Sequence, residues 1–172
     1  MNEKALKTLE FYKIIEQLTT YASTPLGKDM CKKLAPMDDL TSIRRAQKET
    51  SDALSRILQR GSISFSGARD IRDSLLRLQV GASLGIVELL NISSLLKTAS
   101  RAKSYGRREN DEETQDSLDE RFQGIEPLTP LQHELERCII SEEEIADDAS
   151  PALRSIRRSM RAASDKIHTQ LN

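Results

Sequence analysis

Arg154, Arg157, Arg158 and Arg161 are the residues whose type and spacing best suit chemistry in this chain. Arg154, Arg158 and Arg161 fall at i, i+4 and i+7, so on a helix they share one side, and Arg157 sits one turn before Arg161. A guanidinium offers a planar fork of donors that matches a phosphate, and a stripe of them along one helix face fits a nucleic-acid backbone. The same stripe also suits a solvated arm, or a helix paired with acids on a neighbouring strand of a coil.

Other chemistry finds no support in the residues. The chain has no Gly-x-x-x-x-Gly-Lys-Ser/Thr phosphate cradle, and Gly81-Ala-Ser-Leu-Gly85, with no lysine after it, reads as a helix stop and restart. His133 and His168 have no second histidine at helical metal spacing. No nucleophile, base and orienting acid can be assembled from local spacing. The acidic run of Glu142, Glu143, Glu144, Asp147 and Asp148 lacks the alternating oxygens and central glycine of a calcium loop and reads as a solvated loop. Cys31 and Cys138 are far apart and outside any Cys-x-x-Cys pair, as expected of reduced thiols. No catalytic, cofactor or metal residue is therefore assigned; the arginines are the one candidate site, for nucleic-acid contact.

The element that must position them starts at Ser150-Pro151, a preferred cap followed by a residue suited to the first helical turn. From there Leu153, Ile156, Met160, Ala163, Ile167 and Leu171 recur at spacings of three and four, a heptad-like apolar seam. No Gly or Pro stops the pattern before Asn172, so the expectation is a long arm that continues in a larger protein and packs against a returning helix.

Before the arm the pattern is helical almost throughout. Residues 3–22 form an amphipathic stretch, broken near Glu10-Phe11. Thr24-Pro25 opens a short helix to about Leu34. Asp38 or Asp39 caps a long helix whose Leu40, Ile43, Ala46, Thr50, Leu54 and Ile57 share a face and which Gly61 ends. Residues 62–67 read as a loop that buries Ile63 and Phe65. Ile71, Leu75 and Leu78 mark a compact helix ending at Gly81, and Ile86 to about Tyr105 a long one. Residues 106–120 are nearly free of apolar groups and read as a mobile charged segment. A further helix follows Pro127, with Leu131, Leu135 and Ile139 on its apolar side. The expected fold is an all-α helical bundle in two parts: a helical core at 1–149, and the start of an arm helix at 150–172.

Composition sets bounds on this reading. Of 172 residues, 37% are hydrophobic and 31% charged, which suits helices with long solvated faces. Aromatics make up 3% and there is no Trp, so the core must be aliphatic. A net charge of −1 excludes a protein that coats nucleic acid over its whole surface, though not a local basic face. The N-terminus lacks the apolar run of a signal peptide and no stretch reaches the roughly 20 apolar residues of a membrane span, so a cytoplasmic protein with no membrane partner is expected.

Three stretches, taken in order, resemble MutS-related proteins. Thr8-Leu-Glu-Phe, Lys13-Ile-Ile-Glu-Gln-Leu and Tyr21-Ala-Ser-Thr-Pro-Leu-Gly-Lys28 resemble the family's opening segment. Ile71-Arg-Asp-Ser-Leu-Leu-Arg-Leu with Gly81-Ala-Ser-Leu resembles the next, and Leu135-Glu-Arg-Cys-Ile139 with Glu144-Ile-Ala-Asp-Asp-Ala-Ser-Pro-Ala-Leu-Arg-Ser-Ile-Arg-Arg158 the entry into its clamp helices. The nearest likeness is to the bacterial type-two MutS branch, with Met1 as the natural start. Tyr12 stands where the resemblance would place an acid or proline, and Glu143-Glu144 where it would place a turn glycine.

The resemblance implies a helical core and lever running into the first helix of a coiled-coil clamp. ATP and magnesium would be bound, and nuclease chemistry carried, in domains outside this segment; the segment itself would hold no cofactor. Full-length relatives would be homodimers that bind DNA junctions or mismatched DNA and suppress recombination. The alternative is a binding and transmission module of a factor that rescues collided ribosomes. The isolated arm would self-associate weakly.

Overall fold

The computed structural model describes residues 3–107 and 115–171. Helices α1 (Glu3–Thr8), α2 (Phe11–Tyr21) and α3 (Pro25–Lys32) come first, then α4 (Leu40–Arg60), α5 (Arg72–Gln79) and α6 (Ile86–Tyr105). They are followed by α7 (Asp119–Gln123), α8 (Thr129–Cys138) and the arm, α9 (Pro151–Leu171). The fold is all-α; among the described residues the only β feature is an isolated antiparallel bridge between Ile139 and Ile145.

Local chemistry places most of the boundaries. Glu10 takes a left-handed conformation, φ 52°, and this separates α1 from α2. The Thr24 hydroxyl accepts from the Gly27 amide at 3.0 Å with Pro25 in the first turn of α3. Asp39 caps α4 by accepting from the Ser42 amide at 2.7 Å, and Gly61, at φ 78°, ends that helix. Glu88 reaches back to the Gly85 amide at 2.9 Å and closes the first turn of α6.

The core is small and centred on α6. Ile92, Leu96 and Ala102 are buried, with Ile139 and Ala146 from the far end of the chain. α6 packs on α7 and α8, and α2 packs on α1 and α3. Gly106 lies so close to Phe122 that an added Cβ would stand 2.1 Å from that residue's own Cβ, and Tyr105 meets the Phe122 ring edge-on at a centroid distance of 5.7 Å.

α4 is attached differently. Glu49, Asp52, Arg56 and Arg60, spaced at three and four along one side, bind the stretches that flank residues 108–114. Arg121 donates to Glu49 at 2.7 Å, and the Ser117 amide and hydroxyl donate to Asp52 at 3.0 and 2.7 Å. These two bonds, with Lys48, bring the Asp52 carboxyl down to about 2. Arg56 is buried. Its Nε and Nη2 donate to Asp116 at 2.5 and 2.6 Å, Nη2 also donates to Asp119 at 2.5 Å, and the guanidinium lies 5.1 Å from the centre of the Phe122 ring. Arg60 donates to the carbonyls of Tyr105 and Arg107 at 3.3 and 2.7 Å.

Several expectations change here. The apolar face expected along α4 is largely outside: Leu40 is 59%, Leu54 58% and Ile57 47% exposed, with Ile43 and Ala46 half-buried. Leu75 of α5 is 46% exposed, and in the loop before it Ile63 is half-buried while Phe65 stays exposed. Of the charged 106–120 segment, residues 108–114 lie outside the described residues, as do Met1 and the side chain of Leu171. The described flank at 115–120 carries the start of α7, which the charge-rich pattern gave no reason to expect.

Candidate nucleic-acid interface

The arm is rooted in a short hairpin. After α8 the chain turns through 139–146: the Ile140 and Ser141 amides donate to the Glu144 carbonyl at 3.0 and 3.2 Å, and the Ala146 amide donates to Cys138 at 2.8 Å. Glu143-Glu144 therefore closes a tight turn without a glycine. Arg137 of α8 braces it by donating to the Asp148 carbonyl at 2.8 Å while pairing with Glu134 at 2.5 Å. Burial, with the Glu134 hydrogen bond, pushes the Cys138 thiol up, so it stays protonated and structural. Ser150 then caps the arm, its hydroxyl accepting from the Leu153 amide at 3.2 Å.

On α9 the four arginines occupy one arc of about 100°, in the order Arg157, Arg161, Arg154, Arg158 around the helix. The hairpin reaches one edge of that arc. Arg157 donates to Asp147 at 2.5 Å and to the Ile145 carbonyl at 2.8 Å. Arg161 pairs with the other oxygen of the same carboxylate. Arg157 and then Arg161 hold the Asp147 carboxyl below its ordinary range, so it is ionised at neutral pH. At the other edge Arg154 makes only a loose pair with Asp148, at 3.6 Å, and Arg158 makes no ion pair among the described residues. Arg154 and Arg161 have side chains 67% and 71% exposed, and that of Arg157 is 31% exposed.

The four predicted arginines are thus brought together on one surface, with Arg157 and Arg161 bound by Asp147 and Arg154 loosely paired with Asp148. Asp147 and Asp148, read as solvated, are the counter-ions of the arm; the nearness of an acidic run to an arginine helix was the available signal. Glu142, Glu143 and Glu144 remain exposed. The seam of Ile156, Met160 and Ile167 also faces solvent, each more than half exposed. His133 and His168 are exposed, and among the described residues no group of three or more His, Cys, Asp or Glu is disposed to hold a metal ion. No helix among them is long and apolar enough to cross a membrane.

Comparison with known proteins gives consistent relatives. The chain is 55% identical, over 99% of its length, to a protein named Endonuclease MutS2 from Lachnoclostridium phytofermentans. It is 50% identical over 99% of its length to one of the same name from Agathobacter rectalis, and 48% identical over its full length to one from Lachnospira eligens. It covers 22%, 22% and 21% of those proteins, and so spans about a fifth of the relatives it matches. No family model matches the chain.

Proposed function

The chain is a segment of the MutS2 family, and from that premise we propose that it is the core-and-lever part of a DNA-acting protein, whose arm touches the nucleic-acid backbone. In this reading α1 to α8 form the body that carries motion between an ATP-hydrolysing part of the longer protein and its clamp. α9 is the first strand of that clamp. The observation that supports it is the arginine arc on a helix whose root is capped by Ser150 and clasped by Asp147, so that a force on the arm is passed to the hairpin and to α8. Arg154 and Arg158, at the uncommitted edge, make the first phosphate contacts.

The test is fluorescence anisotropy with a labelled four-way DNA junction over a range of salt. Each phosphate contact adds about −0.9 to the slope of log affinity against log salt. The Arg154→Ala/Arg158→Ala variant is expected to weaken binding and flatten that slope by roughly 1 to 2. Absence of binding at low salt, or binding indifferent to these substitutions, overturns the proposal. Stronger binding to structured ribosomal RNA than to the junction would move the segment to the ribosome-rescue reading.

A further inference from the structure

We infer that Asp147 is a built-in competitor for the phosphate backbone, and that nucleic-acid contact and arm anchoring use the same two guanidinium groups. The inference rests on the nucleic-acid reading of the arm. Its basis is geometric. Arg157 and Arg161 are one helical turn apart, and each binds a different oxygen of the one Asp147 carboxylate. A carboxylate bridging two guanidinium groups through separate oxygens occupies the place that two non-bridging phosphate oxygens would take.

The arc is therefore divided. Arg158 and the loosely paired Arg154 are free to meet a backbone first. Arg157 and Arg161 become available only if phosphate displaces Asp147. Both pairs are partly exposed to water, and pairs of this kind are weak and screened by salt, so displacement by a polyanion is within reach. Displacement also loosens the root of the arm. Asp147 lies on the segment that joins the hairpin to α9, so losing it leaves the Arg137 bond to the Asp148 carbonyl, the Arg157 contact to the Ile145 carbonyl, the Arg154–Asp148 pair and the Ser150 cap. Binding and arm attachment are thereby coupled with opposite sign: what grips the nucleic acid releases the arm.

The experiment compares the chain with Asp147→Asn and Glu143→Gln, using the same labelled four-way junction. Glu143 lies in the same hairpin, is exposed, and makes no ion pair among the described residues, so Glu143→Gln changes net charge equally without freeing an arginine. Asp147→Asn is expected to tighten binding about three- to tenfold and steepen the salt slope by roughly 1 to 2, as two more phosphates are engaged. Glu143→Gln is expected to change affinity less than twofold, and in an Arg157→Ala/Arg161→Ala background the gain from Asp147→Asn should vanish. Asp147→Ser serves as a second variant, and unchanged helical circular dichroism confirms that each is folded. If Glu143→Gln gains as much as Asp147→Asn, or Asp147→Asn gains nothing while Arg154→Ala/Arg158→Ala still weakens binding, the competition is refuted and the nucleic-acid reading survives. If no variant binds, both fall together.

Discussion

Replacing Arg56 by Met keeps most of the buried stem and removes the charge. It removes the Arg56 ion pairs of Asp119, whose side chain is 2% exposed, and of Asp116, at 22%. Removing one partner of a buried pair costs about 3–5 kcal/mol. Two features reduce that figure. Arg56 Nη1 is itself buried without a hydrogen-bond partner among the described residues, a penalty that the substitution relieves, and the Asp119 carboxylate keeps a bond from the Asp116 amide at 3.3 Å. The expected net loss is about 2–4 kcal/mol, a fall in Tm of roughly 5–15 °C for a chain of this size. The comparison is Arg77→Met, which breaks the Arg77–Glu88 pair, 2.7 Å long with the Arg77 side chain 52% exposed, and should cost about 0.2–1 kcal/mol. Acid supplies a second check. Arg56 holds the Asp116 carboxyl below its ordinary value. The stability this confers is fully present above about pH 4, the unfolded value, and is lost as pH falls through the lower folded one. Thermal melts followed at 222 nm from pH 7 down to about 2.5 should show the gap between wild type and Arg56→Met closing in acid. A loss at pH 7 no larger than that of Arg77→Met, or a gap unchanged in acid, would mean that the Arg56 ion pairs do not hold α4.

Gly106→Ala drives a methyl group into Phe122 and should destabilise by about 1–3 kcal/mol, read from the same melts. Leu54→Ala and Leu75→Ala, at half-exposed positions, should each cost less than about 2 kcal/mol, below the usual range for a buried leucine; larger losses would place them in a core. Met160→Glu, in the exposed seam, should abolish any concentration-dependent dimer seen by light scattering and leave Tm unchanged; a dimer equally tight in both proteins puts the contact elsewhere. Isothermal titration of the chain with ATP and magnesium is expected to show no specific binding, and a saturable site removed by a point substitution in this segment would refute that.

Much of the helix order was readable because its signals are local. Thr24-Pro25, Asp39, Gly61 and Ser150-Pro151 act within a turn of themselves, and each stands at the boundary it announces. The orientation of α4 was not readable in the same way. Its apolar stripe from Leu40 to Ile57 is the regular pattern of a buried face, and a local reading turns that face inward. The structure instead turns Glu49, Asp52, Arg56 and Arg60 toward residues 45 to 72 positions away in sequence. No helical period encodes a partner at that distance. α7 escaped for a related reason: its one large apolar side chain, Phe122, gains its place from Gly106 and Arg56, not from neighbours in its own turn. At the candidate site, helical spacing was enough to group the arginines. Which acid meets them depends on the turn at 139–146, and so Asp147 was not assigned.

The outward stripe on α4 and the seam of α9 can be weighed by area. A compact monomer of 19.4 kDa is expected to expose about 8,500 Å², and this chain exposes 13387 Å². An extended arm contributes, yet a standard protein–protein contact covers only about 800 Å² per partner. A single dimer contact on the seam would therefore remove a small part of the excess. Obligate interfaces resemble a domain core cut in half, and large exposed aliphatic side chains on α2, α4, α5 and α9 have that character. A segment spanning about a fifth of its relatives is expected to carry such faces. Polar contacts hold these two elements: the Arg56 ion pairs fix α4, and the Asp147 clasp fixes the arm. The clasp is partly open to water whereas the Arg56–Asp119 pair is buried, so salt that leaves helix content unchanged should loosen α9 before it disturbs α4 or the apolar packing of α6 on α8.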